Sequence, residues 1–194
     1  MLIRPDELRV VPRDPDSGVK FLQVEHDLGI WLRSIAPSHS IWAEEVVFFD
    51  LQDGSRIARR VDVLTSVPHV AMWGPRAGAF REWAVSALDC WTEREMFLSA
   101  REALRHGDVD DLVDALLVVF ISCPPTKEIS QPWVSLALEF LRHEEPDVRD
   151  SAVVGTFFGF WRNPRVQAAI DDILVRDPSE AVRARAAILQ KGWS

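Results

Sequence analysis

Hydrophobic residues change their spacing along this chain near residue 75. Before that point the clearest pattern lies between 46 and 64, where VVFFDL and RIARRVDVL flank the tetrapeptide QDGS. Asp53-Gly54 supplies the positive φ of a tight turn and β-branched residues stand on both sides, which predicts a β-hairpin. Upstream, VKFLQVEHDLGIWL (19–32) alternates at Val19 and Phe21 like a strand, although Phe21, Val24, Leu28, Trp31 and Leu32 also fit a helical stripe; we read it as a strand. Pro5, Pro12 and Pro15 predict an extended arm at the start of the chain.

From Gly74-Pro75 onward the period is helical. Phe80, Ala84, Ala87, Leu88 and Trp91 form one stripe. Thr92 and Glu95 stand at capping-box spacing, where hydroxyl and carboxylate each satisfy a backbone N–H, and open a second helix that His106-Gly107 closes. DVDDLVDALLVVFISC (108–123) predicts a third, broken by CPPTKEISQP (123–132). Helices over 130–143, 145–161, 163–177 and 178–193 follow with very short connections; the first of them carries Trp133, Leu136, Ala137, Phe140 and Leu141 on one face. Residues 1–75 thus read as a small β-containing segment and 76–194 as a helical domain.

The helical part repeats. EEPDVRDSA (144–152) and DPSEAVRARAA (177–187) both pass from an acidic, proline-containing start to Val-Arg and then Ala. Val148 and Val182 are 34 residues apart, and a step of 35 back from Val148 reaches Val113. In each unit the valine and the residue four later (Leu117, Ala152, Ala186) share a helical face, and the acids before it suit the positive end of the helix dipole. A helix pair of this length cannot bury both faces alone, so neighbours must stack, and Ala152, Gly155 and Gly159 leave room for another backbone. This pattern resembles the second-helix signature of HEAT and HEAT-like repeats over about residues 92–193, with Asp114 and Leu117 departing from it in the first unit. The resemblance implies a mainly α fold, an α-solenoid of about three helix pairs behind the small β-containing N-terminal segment. It says little about function.

Charge narrows the partners. Thirty Asp and Glu against 22 Lys and Arg give a net charge of −8, split −3 over 1–75 and −5 over 76–194. Such a chain repels phosphate backbones, so nucleic acid is not an expected partner and a basic protein is. The longest apolar run, ALLVVFI (115–121), is far short of the roughly 20 residues of a membrane span, and MLIRPDELRVVPRD has no apolar signal-peptide core. A cytoplasmic protein is expected, in which Cys90 and Cys123 are core thiols. The 19 Arg against 3 Lys, with no Tyr, is a bias associated with GC-rich bacterial genomes.

Motifs for chemistry are sparse. His26, His39, His69, His106 and His143 show no ligand spacing; His106 and His143 read as helix-end caps. His26-Asp27 is similar to the His-Asp pair of metal-dependent phosphohydrolases but lacks the further ligands such a site needs. Ser38-His39-Ser40 reads as a loop, and Gly74-Pro75-Arg76-Ala77-Gly78 as an interdomain turn rather than a phosphate loop. The Asp108, Asp110, Asp111, Asp114 cluster lacks the glycine and closing glutamate of an EF-hand. No catalytic residue, metal or cofactor is predicted. Of the eight tryptophans, Trp83, Trp91, Trp133 and Trp193 fall on core stripes, and Trp31, Trp42, Trp73 and Trp161 are interface candidates.

Stacked units would align their turns along one edge, where 105–114, 142–150 and 176–185 carry −3, −2 and +1. The predicted docking site is an acidic rim of Asp108, Asp110, Asp111, Asp114, Glu144, Glu145, Asp147 and Asp150, with Trp161 as aromatic anchor. The expected function is non-enzymatic protein binding, in the manner of bacterial immunity proteins that occlude a basic toxin. Alternatives are a small-molecule binder or enzyme resembling HEAT-like lyases or glycosylases, and a scaffold subunit pairing its hairpin edge with another chain.

Overall fold

Alternation and two glycine turns build the N-terminal part. The computed structural model describes residues 7–14, 38–39, 43–51, 53–62, 65–123, 129–160 and 163–193; Pro5, Pro15 and the expected strand over 19–32 lie outside them. The strands are β1 (Leu8–Val10), β2 (Ser38–His39), β3 (Ala43–Asp50), β4 (Arg56–Asp62) and β5 (Pro68–Trp73), all antiparallel in the order β1-β5-β4-β3-β2. The predicted hairpin is β3–β4. Gly54 adopts φ of +80°, its N–H donates to the Leu51 carbonyl at 3.1 Å, and Ser55 N–H donates to the Asp53 carboxylate at 2.8 Å. Ser38-His39 is an edge strand rather than a loop, with Ser38 opposite Glu45.

Gly74, at φ +88°, turns β5 into α1 (Ala77–Ala87), and a β-carbon there would stand 2.8 Å from the Gly54 carbonyl oxygen. Backbone crowding and positive φ therefore demand glycine at this turn. Period two then sorts the sheet's two faces. Val10, Ile57, Val70 and Met72 pack with Phe80, Trp83, Ala84 and Leu88 of the α1 segment. Ala58, Ala71 and Trp73 form a second cluster. Trp73, read above as an interface candidate, is buried there at 3% exposure.

The chain is mainly α with a smaller β part. It divides into two compact units, Met1–Glu95 and Met96–Ser194. The change of pattern at Gly74-Pro75 thus marks where strands give way to helices, and the break between units falls later, in the first turn of α2 (Glu93–His106). That turn has the expected capping box: Thr92 Oγ1 accepts from Glu95 N–H, and Glu95 accepts from Thr92 N–H at 2.9 Å.

The later helices are α3 (Val109–Ser122), α4 (Gln131–Leu141), α5 (Pro146–Thr156), α6 (Pro164–Arg176) and α7 (Glu180–Trp193). Prolines at the first turns of α4, α5 and α6 lose no helical hydrogen bond, because those N–H groups have no partner within the helix. In the second unit α3 packs on α5 and α5 on α7, while α4 lies on α5 and on α6, and α6 on α7. Phe97 of α2 meets Trp133 of α4 edge-on at 4.9 Å.

Small residues set the closest approach, as their spacing suggests. A β-carbon on Gly155 would stand 2.6 Å from Phe120 Cγ, and one on Gly159 would stand 3.2 Å from Cys123 Sγ. Both contacts advance in the same sense, so α3 and α5 run parallel, in step with the sequence repeat. Phe120 also packs against Phe160 at 4.9 Å and Phe140 at 6.4 Å, which leaves it no direction of retreat. Val148, Ala152, Val182 and Ala186 are all buried. In the first repeat the innermost pair is Leu112 and Leu116, one position ahead of the Val113 and Leu117 chosen from sequence, of which Leu117 is also buried and Val113 half-buried. Gly155→Ala should therefore lower unfolding free energy by about 1–3 kcal/mol, the usual cost of overpacking a core. Gly78→Ala, with open space around it, should be neutral or stabilising. Urea unfolding of the two variants reads the contrast.

Candidate functional site

The repeated Val-Arg pair explains how the helix ends are held. Val148 and Val182 are core residues, and the arginine after each reaches back to the end of the preceding helix. Arg149 Nη1 donates to the carbonyls of His143 (2.8 Å) and Glu144 (2.7 Å), while its Nε and Nη2 donate to the Asp177 carboxylate at 2.7 and 2.9 Å. Arg183 repeats the first contact on the Asp177 carbonyl. Hydrogen bonds from Arg149 hold the Asp177 carboxyl below its ordinary range despite burial. His143, expected to cap carbonyls, does the reverse: its Nδ1 accepts the Glu145 N–H at 3.2 Å. The carbonyls fall to Arg149.

This clamp bears on the acidic rim. With α3 and α5 parallel, Asp108, Asp110, Asp111 and Asp114 lie at the same end of the pair as Glu144, Glu145, Asp147 and Asp150. Their roles differ. Asp108 caps α3, accepting the Asp111 N–H at 3.0 Å, and Asp150 is partly buried against Arg185 at 3.2 Å. Asp110, Asp111, Asp114, Glu144, Glu145 and Asp147 are exposed, and their side chains make no hydrogen bond or ion pair among the described residues. Trp161, Trp31, Trp42 and the side chain of Trp193 lie outside the described residues, as does the His26-Asp27 pair.

Beside the rim, a cavity of about 610 Å³ opens between α4 and α6. Arg142, His143, Glu144 and Arg165 line it and also line an adjoining cavity of about 640 Å³. Sequence reasoning did not find this groove, because its walls come from two helices whose faces only packing brings together.

A second feature missed from sequence lies in the β sheet. Glu7, Arg9, Arg60 and His69 are all at most 6% exposed. Glu7 accepts from Arg9 Nε at 2.8 Å and from Arg60 Nη1 at 3.2 Å, and the Arg60 guanidinium lies 4.8 Å from the Trp73 ring centre. Burial alone would raise the Glu7 carboxyl, but Arg9 and Arg60 outweigh it and hold it below its ordinary value. Burial, with Arg9 adding repulsion, pushes His69 down to about 3, and its neutral ring donates from Nδ1 to the Val67 carbonyl at 3.3 Å. The signal was present in sequence as charged residues at alternating positions on flanking strands, but Glu7 and Arg60 are far apart along the chain.

Among the described residues no group of three or more His, Cys, Asp or Glu is placed to hold a metal, and no helix is long and apolar enough to cross a membrane. Both cysteines are buried; Cys90 donates to the Ala84 carbonyl at 3.3 Å, and burial pushes its thiol up to about 12.

Removing one member of a buried pair strands the other charge. Arg149→Ala should cost about 3–5 kcal/mol. Because Asp177 titrates lower when folded, the pair's contribution is complete above the unfolded value of about 3.9 and is lost as pH falls through the folded one, so the variant should lose less than wild type between pH 5 and 2 in urea titrations. His69 acts at higher pH. Below about 6.5 the unfolded ring takes a proton that the folded ring refuses until about pH 3, so stability should fall by up to about 1.4 kcal/mol per pH unit in that window. His69→Gln should flatten this slope, read from amide exchange in β4 and β5 at pH 7, 6 and 5.

No protein family, no curated protein and no solved structure was found to match this chain.

Proposed function

We propose that this chain is a non-enzymatic protein-binding module in which α2–α7 form a HEAT-like solenoid, and that its acidic helix ends dock a basic partner. The observation that carries the reading is the parallel run of α3 and α5, in step with the sequence repeat, with six exposed acids at their common end. Acids at helix starts gain from the dipole, but about 0.3–1 kcal/mol each is available from one or two per helix. Asp108 already caps α3. The remaining acids form a negative field suited to steering a cationic surface. Occlusion of that surface is an inhibitor's mechanism, and the immunity-type role in a cytoplasmic setting is part of the same proposal.

Reversal of Asp110, Asp111, Glu144 and Asp147 to lysine spares both the cap and the Asp150–Arg185 pair. Affinity capture from native lysate should yield one stoichiometric basic protein with wild type and none with the reversed variant. The purified pair should associate at least tenfold more slowly after reversal, with a weaker salt dependence. Equal capture and equal association rates would overturn the rim as the docking site.

A further inference from the structure

Most arginines on the last four helices are committed. Arg149 and Arg185 hold carboxylates, Arg176 pairs with Asp172 at 3.0 Å, and Arg183 donates to a carbonyl. Arg142 and Arg165 differ, since neither side chain makes a hydrogen bond or ion pair among the described residues. Both nevertheless line the same cavity, one from the end of α4 and the other from the first turn of α6. Two cations at one concavity repel each other, and a chain with 30 acidic residues could readily have neutralised them. Its lining carries four arginines (Arg142, Arg149, Arg165 and Arg176) against three carboxylates (Glu144, Asp172 and Asp177), so the groove is net positive by one in a chain of net −8. The Arg165 and Val166 N–H groups are already taken by the Asn163 side chain, so an incoming anion would meet side chains rather than helix amides.

The rest of the groove combines the paired Arg149–Asp177 and Arg176–Asp172 with apolar residues. Leu141, Ala169 and Ile173 form a wall beneath the arginines. A volume of about 610 Å³ lies in the range of small-molecule sites, which combine an apolar wall with a few convergent polar groups. His143 adds a polar ring at the edge, its Nδ1 accepting the Glu145 N–H at 3.2 Å.

We propose that this groove binds a small organic anion, a carboxylate or phosphate monoester on an apolar body of several carbons. Arg142 and Arg165 hold the charged oxygens, and the wall of Leu141, Ala169 and Ile173 takes the body. The site borders the acidic rim at Glu144, and its binding of an anion needs no protein partner.

Titration of the ¹⁵N-labelled full chain with hexanoate, phenyl phosphate, inorganic phosphate and 1-hexanol tests this. Hexanoate, phenyl phosphate or both should saturably shift the amides of Arg142, His143, Arg165 and Ala169, and which one does so separates the two anion sources. Binding should weaken at least about tenfold in R142A/R165A, which removes two exposed charge-assisted contacts. It should also weaken in Ala168→Phe, which intrudes a ring on the cavity lining and keeps both arginines. No saturable shift with either organic anion, or unchanged shifts in R142A/R165A, would overturn the site. Hexanol matching hexanoate would remove the role of the arginines, and inorganic phosphate matching phenyl phosphate would remove the role of the apolar wall.

Discussion

One guanidinium governs the helical half of this protein. Arg149 satisfies two carbonyls at the link between α4 and α5 and both oxygens of Asp177 at the link between α6 and α7. A planar fork with five fixed donors can meet such a set of acceptors, whereas an ammonium group could not. The contact holds two successive links together and so fixes the relative position of two helix pairs.

The same position has a different fate in each unit. Arg183 reaches the Asp177 carbonyl as Arg149 reaches that of His143. In the first repeat the place of the arginine is taken by Asp114, which is exposed. There the link closes differently, with Gly107 packed so closely that a β-carbon would stand 2.8 Å from the Ala103 carbonyl oxygen. An aspartate in place of a clamp arginine adds to the acidity that Asp108, Asp110 and Asp111 already give this end of α3.

The sheet solves a different problem. Its α1-facing side is apolar, and its other side buries a carboxylate between two arginines beside a neutral histidine. Buried ions are tolerated only when each finds opposite charge and hydrogen bonds. Glu7 therefore ties β1, at the sheet's edge, to β4 across β5. The arrangement is costly if incomplete, which makes correct pairing of β1 a condition of closing the face.

The local signals were legible because they are local. Asp53-Gly54, the Thr92–Glu95 box, the first-turn prolines and the apolar stripes are each decided within a few residues by φ preference, missing N–H partners and period. The charges of the helix starts were legible as well, but not their fates: six rim acids are exposed, whereas Asp150 pairs with Arg185 and Asp177 is buried against Arg149. Ser38-His39 was misread because an edge strand two residues long has no period to detect. Trp73 was misassigned because burial depends on what covers a face, and the Val113 register slipped by one because a helix turns 100° per residue and two adjacent positions can both look apolar. The sequence by itself determined the β3–β4 hairpin, the succession of helices and the spacing of the repeat. Only the tertiary structure decided that Arg149 would find Asp177, that Glu7 would find Arg60, and that Arg142 and Arg165 would share one groove, because each of these depends on distances between segments that chain connectivity leaves free.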